Sequence, residues 1–448
     1  MEPGAESQGV AGDRVRRAAR EYDDLLWSEH LTSTIDGLGG QSGGLTRRTA
    51  LRPVLITEAD LRRHAGVARA VARGLEIAVR ILIAQPALRR RIGLPDYLDA
   101  LIDLEPAGAP GSAFARLDGI VSGGALRVIE YNAEPGAIHH ITRLTAAFES
   151  LPVTRAFRER HPCQSIAPAR LLSEALREDS VSRGGPARPR VVIVRNVGSE
   201  GAAAPKPAAQ MFGPLAFEHV ESASAGELDY RRERLEFRDR PVDVILLQAW
   251  MDVIASPDTC APLLAAIRAG HVRVAGGLSK GILCSYKHVF ELLSDPAHAG
   301  LFPVEVGETL AAHVPWTRVV RDCRTTYDGE TVALCEFVER HRERFLIKPG
   351  GGRGGAGVVP GWRTDAVTWS RHLARGINRC VVQERVRPES SPYPVWVAGE
   401  ARTIDLHGDY CPYLLNVTGM DGCAIRLSDS DLHSASFGGM NTPVWVLS

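Results

Sequence analysis

Two short stretches carry polar residues at a spacing that could do chemistry. "ARLDGIVS" holds Arg116 and Asp118, and "RVIEYNAEPG" holds Glu130 and Asn132. The Ser-Gly-Gly between them reads as a hairpin turn. Folded about Gly124, the hairpin sets Asp118 opposite Glu130 and Arg116 opposite Asn132. Strand side chains alternate faces, so all four share one face. Ile120 and Val128 follow on that face, with Leu117, Val121, Ile129 and Tyr131 on the other. A hairpin apolar on both sides belongs between layers. Two facing carboxylates repel unless a cation or a proton lies between them. Arg116 could serve one of them. A divalent metal would serve both, with Asn132 adding a neutral oxygen, and an all-oxygen set suits Mg²⁺ or Mn²⁺ rather than zinc. Mg²⁺ usually completes its shell with water and nucleotide phosphates, so the hairpin leads us to expect phosphates nearby. A surface hairpin with a cross-strand ion pair and a solvated aspartate accounts for the same residues.

The second stretch is "FLIKPGGGRGGAGVV" (345–359). Within it "GRGGAG" matches G-x-G-x-x-G, but "VVPGW" follows where a dinucleotide fold needs a helix. A Walker A loop needs its lysine after the glycines, and here Lys348 precedes them. What remains is a strand ending in Lys348, then bare backbone that can fold over phosphates and donate N–H groups. Six of the eight residues 350–357 are glycine, at a cost in conformational entropy. A lid that moves over phosphates explains them, and so does a loose surface loop. Downstream, "RCVVQERVRP" is a buried strand running into polar residues. Gln383, Glu384 and Val386 could form an adenine slot there, with the acidic side chain on the ribose.

The order "IKP", glycine loop, then "VVQERV" resembles the ATP-grasp fold, and "RLDGIVSGGALRVIEYN" resembles the R-x-D and E-Y-N block of glutathionylspermidine synthase and its relatives. "SYKHVFELLSD" and "VPWTRVV" resemble the same family's text. In the usual ATP-grasp order the metal motif follows the hinge; here it precedes Lys348. The resemblance therefore implies a circularly permuted ATP-grasp ligase. It covers 113–448 in pieces. Carried over by position, it implies that Asp118, Glu130 and Asn132 hold Mg²⁺ (or Mn²⁺) and that Lys287 and Lys348 contact the phosphates of ATP. Gly351, Gly352, Gly354 and Gly355 would cover those phosphates, and Gln383, Glu384 and Val386 would line the adenine slot. Arg116 would face the charge developing at an acyl phosphate, and Arg426, matched only by order, would be a second arginine there. Lys280 competes with Lys287 for the first lysine position; the "YKHVFELLSD" match favours Lys287. His139 and His140 are read as structural. The implied activity is an ADP-forming carboxylate–amine ligase acting through an acyl phosphate. A small-molecule kinase on the same fold and a non-catalytic ATP-binding module are the alternatives. No Ser-His-Asp or Cys-His nucleophile is evident. The loops "EPGAIHH" and "DLHSASFGGMN" leave the acid and the amine unnamed.

These residues need several elements to position them. The 448-residue chain is too long for one compact core. We expect a disordered tail over 1–20 and a helical region over 21–112, where "ARAVARGLEIAVRILIAQ" has helical spacing. The permuted part with the metal hairpin covers 113–181. A Rossmann-like unit follows over 186–275, with "VVIVRN" and "VDVILL" as buried strands. The lysines, glycine loop, hinge and final segment occupy 276–448. The fold class is thus mixed α/β and α+β. Lys+Arg and Asp+Glu both count 53, so nothing asks for nucleic acid or an acidic membrane surface. No apolar run reaches the ~18 residues of a membrane span, and the first residues lack a signal peptide's apolar core. Eight scattered cysteines fit reduced thiols in a cytoplasmic protein. The expected partners are a small carboxylate and a small amine, and a homodimer stays open.

Overall fold

The structure is a computed structural model that describes residues 3–42, 48–105, 114–133, 138–166, 168–182, 184–195, 219–247, 257–352, 354–415, 422–430, 432 and 439–448. The site hairpin, Ala115–Ser122 with Ala125–Asn132, is part of a seven-stranded sheet. Its central member is the long strand Glu400–Leu414, which pairs Ser390–Val397 through residues 400–407. It then runs on between Ala115–Ser122 on one side and Cys423–Ser428 on the other. Segments far apart in sequence therefore build one sheet, including Arg48–Ala50 and Met440–Thr442 at its ends.

The helix Glu58–Ala84 packs on one face of this sheet. A capping box starts it: Thr57 Oγ1 accepts from the Asp60 N–H while the Asp60 carboxylate accepts from the Thr57 N–H. Its buried Ala68, Val71 and Leu75 join Leu126, Val128 and Tyr131 of the hairpin in the main core. The opposite face meets a four-stranded antiparallel sheet in the order Thr317–Val319, Cys380–Glu384, Phe345–Pro349, Val359–Pro360. That sheet has its own apolar cluster of Phe345, Ile347, Trp369, Leu373 and Val382. A parallel sheet, in the order Arg273–Val274, Val244–Leu247, Arg190–Arg195, His219–Ser224, shares an apolar cluster with Tyr413 and Ala424 of the large sheet. It contains both strands expected from "VVIVRN" and "VDVILL".

Three expectations need correction. Residues 1–20 do not form a disordered tail: a helix spans Pro3–Leu25. Ala18, Tyr22 and Leu25 recur at helical spacing and are buried against Phe157 and Trp445. The region 21–112 is not helical throughout. Val54–Thr57 is a strand, parallel to Val444–Leu447, which is itself antiparallel to Cys163–Ser165. Third, the hairpin register changes halfway. Asp118 does face Glu130, and Arg116 faces Asn132. Beyond them Gly119 faces Val128, and Ile120 faces Arg127 rather than Val128, because Ile129 forms a bulge. No described helix is long and apolar enough to cross a membrane. All eight cysteines are free.

Candidate active site

The bulge shapes the site. A bulged residue loses its ladder partners, and the carbonyl oxygen of Ile129 is met instead by the other sheet. Gln383 Nε2 donates to it at 3.4 Å and Lys348 Nζ lies 3.5 Å away. Gly119 permits the bulge. A Cβ there would meet Leu126 Cδ1 at 2.8 Å and the carbonyl oxygens of Arg127 and Tyr410 at 3.0 and 3.2 Å. The two sheets thus approach across a narrow cleft of about 90 Å³. Glu130, Lys287, Lys348, Gly352, Gly355, Gln383, Glu384 and Val386 all line it. Gly351 and Gly354 lie in the same loop without lining it.

Lys348 is the last polar side chain of its strand and is buried. Its Nζ donates to Gln383 Oε1 at 2.7 Å. Gln383 also donates to Thr317 Oγ1 at 2.9 Å. Gln383 is therefore a buried holder of the lysine rather than an open contact at an adenine slot. Burial pulls the Lys348 ammonium down to about 8, with Glu130 opposing and Lys287 reinforcing the shift. Lys287 sits between two short helices, Leu278–Ser285 and Val289–Ser294. Its Nζ donates to Glu130 Oε1 at 2.9 Å and to Gly352 O at 2.5 Å. It thereby ties the hairpin to the glycine loop. Lys280 instead pairs with Glu76 at 3.0 Å, outside the cleft. Of the two lysines, Lys287 is the one that lines the cleft.

The loop after Lys348 is folded tightly. Gly350 accepts from the Lys287 N–H, and a Cβ on it would meet Tyr286 Cζ at 2.7 Å and His288 Nε2 at 2.9 Å. Gly354, Gly355 and Gly357 all have positive φ, which glycine adopts freely. At the far end, Glu384 accepts from the Tyr327 hydroxyl at 2.6 Å. The N–H groups of Glu384 and Arg385 donate to Trp316 O and Arg344 O. Two contributors went unread in the sequence: Trp362 and Arg385, whose guanidinium stacks 4.0 Å over the indole at the cleft wall. "PGWRTD" follows the glycines directly and was the available signal.

Asp118 behaves differently from the expectation. Its Oδ1 accepts from Arg116 Nε at 2.7 Å and Asn132 Nδ2 at 3.0 Å, and its Oδ2 from Arg116 Nη2 at 3.2 Å and Arg426 Nη2 at 2.7 Å. A carboxylate has about four lone-pair sites, and all are taken. Burial alone would raise its pKa; the two guanidiniums outweigh burial and hold it well below the usual carboxylate range. Three cations face the two acids, Lys287 on Glu130 and two arginines on Asp118. Arg116 and Arg426 are turned onto Asp118, not toward the cleft. Arg426 also pairs with buried Asp409 at 2.5 Å. Burial pushes the Asp409 carboxyl up to about 6, against the pull of Arg426. Asp409, absent from the sequence reading, joins Asp118 and Cys411 in a buried cluster whose ligand atoms lie within 4.8 Å of one another. Both carboxylates there are spent on arginine. The oxygen donors left for a hard cation are Glu130 and Asn132, on the same face of one strand. That pair fits Mg²⁺ holding water and phosphate; Asp118 fits only by giving up an arginine. His140 lies on the helix Ile138–Ser150, outside the cleft. The His139 side chain and residues 134–137, 416–421, 431 and 433–438 lie outside the described residues.

No protein-family model and no curated protein sequence matches the chain. Among solved structures, it is similar to a glutathione synthetase like-effector, GSS30, from Globodera pallida in its apo form. The TM-score is 0.60 at 11% sequence identity, over 93% of this chain and 97% of that one. A candidate gamma-glutamylcysteine synthetase from Methylobacillus flagellatus KT is more distant, with a TM-score of 0.41 at 14% identity over 82% and 86% of the two chains. The likeness to glutathionylspermidine synthase stays with the motifs, and what the comparison with the Globodera pallida protein shows is a shared mixed α/β fold.

Proposed function

We propose that the chain is an ADP-forming carboxylate–amine ligase. The observation that carries the reading is the convergence of Lys348, Lys287, Glu130 and a tightly folded glycine loop on one cleft between two sheets. Phosphoryl transfer needs alignment and charge stabilisation more than a strong base, and this set supplies both. In this reading the order of hairpin and hinge along the chain is a circular permutation of the ATP-grasp order.

Lys348 and Lys287 bind the phosphates. Because Lys287 now holds Gly352 and Glu130, and the cleft is narrow, the loop lifts for the nucleotide to enter. Glu130 and Asn132 would hold Mg²⁺, and the ion would supply neutralising charge beside the transferring phosphoryl group. Val386 and Trp362 flank the base, and Glu384 takes the ribose. Arg116 and Arg426 stay parked on Asp118 until the carboxylate substrate arrives. A carboxylate oxygen attacks the terminal phosphorus of ATP, and ADP leaves. The amine nitrogen then attacks the acyl carbon, phosphate leaves with the bonding pair, and the nitrogen loses a proton.

The test is nucleotide product analysis with pooled carboxylates and hydroxylamine in place of the amine. ADP with a trapped hydroxamate, suppressed by Lys348→Ala, is the expected result. Stoichiometric AMP, or a phosphorylated product that persists without any amine, would overturn the reading.

A further inference from the structure

At its hinge end the nucleotide cleft adjoins a second hollow of about 420 Å³. That is within the size range of small-molecule sites, roughly 300–1,000 Å³. Glu384, Arg385 and Val386 line both spaces. The hollow adds Arg127 of the hairpin, Glu343 and Arg344 just ahead of the strand Phe345–Pro349, and Arg387 beyond the hinge. Lys348 lies four residues along the chain from Arg344. At ~3.3 Å per strand residue that is roughly 13 Å, so one phosphate group cannot touch both.

Four guanidiniums meet around this hollow against two carboxylates, Glu343 and Glu384, in a chain whose charges balance at 53 of each sign. Glu384 is already engaged by the Tyr327 hydroxyl at 2.6 Å and by Arg344 at 3.6 Å. A concave wall with an excess of one sign focuses its field and concentrates counter-ions inside. Several of the guanidiniums are also held in place. Arg344 stacks 4.9 Å over the Tyr327 ring, and Arg385 stacks over Trp362. Arg127 donates through Nη1 to the Ala312 carbonyl. Stacking uses the flat face of a guanidinium, whereas its five N–H donors lie in the edge, in the fork geometry that matches phosphate and carboxylate oxygens. Arg387 is exposed and has no hydrogen-bond or ion-pair partner among the described residues. A monovalent anion would neutralise only part of this charge.

We propose that the hollow binds a small polyanion, a molecule carrying two or more phosphate or carboxylate groups. Arg344 and Arg387 bind its oxygens, and Arg127 and Arg385 add positive charge around it. Binding here does not rest on the ligase reading. A chain that made no amide would still hold the polyanion.

The full chain is titrated calorimetrically at about 0.15 M salt, without nucleotide or Mg²⁺, against pyrophosphate, citrate and acetate. Pyrophosphate or citrate should bind with a Kd below about 1 mM, and the tighter of the two tells whether phosphate or carboxylate oxygens suit the site. Acetate should bind at least about tenfold more weakly. Lys348→Ala removes a charge from the nucleotide cleft, and one binding event should survive it. Arg387→Gln, at an exposed side chain with no partner to lose, should weaken that surviving event about tenfold when added to Lys348→Ala, the effect of one charge-assisted hydrogen bond. No binding of either polyanion, acetate binding as tightly, complete loss of binding in Lys348→Ala, or unchanged affinity once Arg387→Gln is added would each overturn the proposal.

Discussion

Asp118 is the residue on which sequence and structure diverge most usefully. Alternation along two strands suffices to place it opposite Glu130. It does not reveal that Arg426 and Asp409, from strands beyond residue 400, arrive on the same spot and fill the carboxylate's remaining lone pairs. The division of labour between the two acids makes Glu130 the one whose loss is felt in chemistry. Glu130→Gln keeps a hydrogen bond to Lys287 and so should leave the melting temperature nearly unchanged. ADP release should fall by about 10²-fold or more, as for other lost electrostatic groups, and the Mg²⁺ dependence of ATP binding should flatten. Calorimetry at several Mg²⁺ concentrations reads this directly. Lys348 gives a pH signature. Its pKa in the fold, about 8, lies below the ordinary lysine value of 10.5. The unfolded chain holds more protons between those values, so this group's contribution to stability rises with pH across that window. Phosphate binding wants the charged form, so ATP affinity should run the other way and decline as pH climbs past 8. In Lys348→Ala affinity should be weak throughout, with no inflection there. An unchanged profile in that variant would remove Lys348 from the phosphate site.

At the scale of elements, the strands around the cleft were legible because each ends in a recognisable change from apolar to polar text. The bulge was not legible. Gly119 looks like any strand glycine until Leu126, Arg127 and Tyr410 are seen crowding the place of its Cβ. The glycine loop shows the same limit from the other side. Its composition reads equally as a lid or as slack chain, whereas the structure ties it down through Lys287 and Gly350. Gly350→Ala drives a methyl into Tyr286 and His288. Overpacking of this kind costs about 1–3 kcal/mol. We expect a lower melting temperature together with a loss of ATP affinity larger than stability explains, because the backbone that accepts from Lys287 must move. Urea unfolding and nucleotide titration of the same preparation separate the two effects.

Across the whole molecule, the α/β character could be read from alternating strand and helix text, whereas the joining of strands between 390 and 442 with 115–132 in one sheet is visible only in the structure. The error over residues 1–20 came from judging the segment by its polarity. Its apolar face is short, and what it covers includes Phe157 and Trp445, more than a hundred residues away in sequence. Trp445 is fully buried and its neighbouring strand residues pair with both Val54–Thr57 and Cys163–Ser165. Trp445→Ala should therefore destabilise by about 3–5 kcal/mol. A chain stopped at residue 423 should lose ATP binding and cooperative melting together. Wild-type melting in the shortened chain would show that the strand is dispensable.

The place of Val444–Leu447 between two early strands has a bearing on how the protein is made. At ~5–20 residues per second, ribosomes hold Val54–Thr57 and the site hairpin in the open for many seconds before their partners emerge. The compact cluster around Phe345 and Trp369 draws on residues 316–382 alone and can mature while the chain is still being synthesised. The large sheet cannot. Nascent chains would thus spend most of their synthesis with adhesive strand edges exposed, and dependence on a chaperone should appear in the yield of folded protein well before any effect on finished molecules.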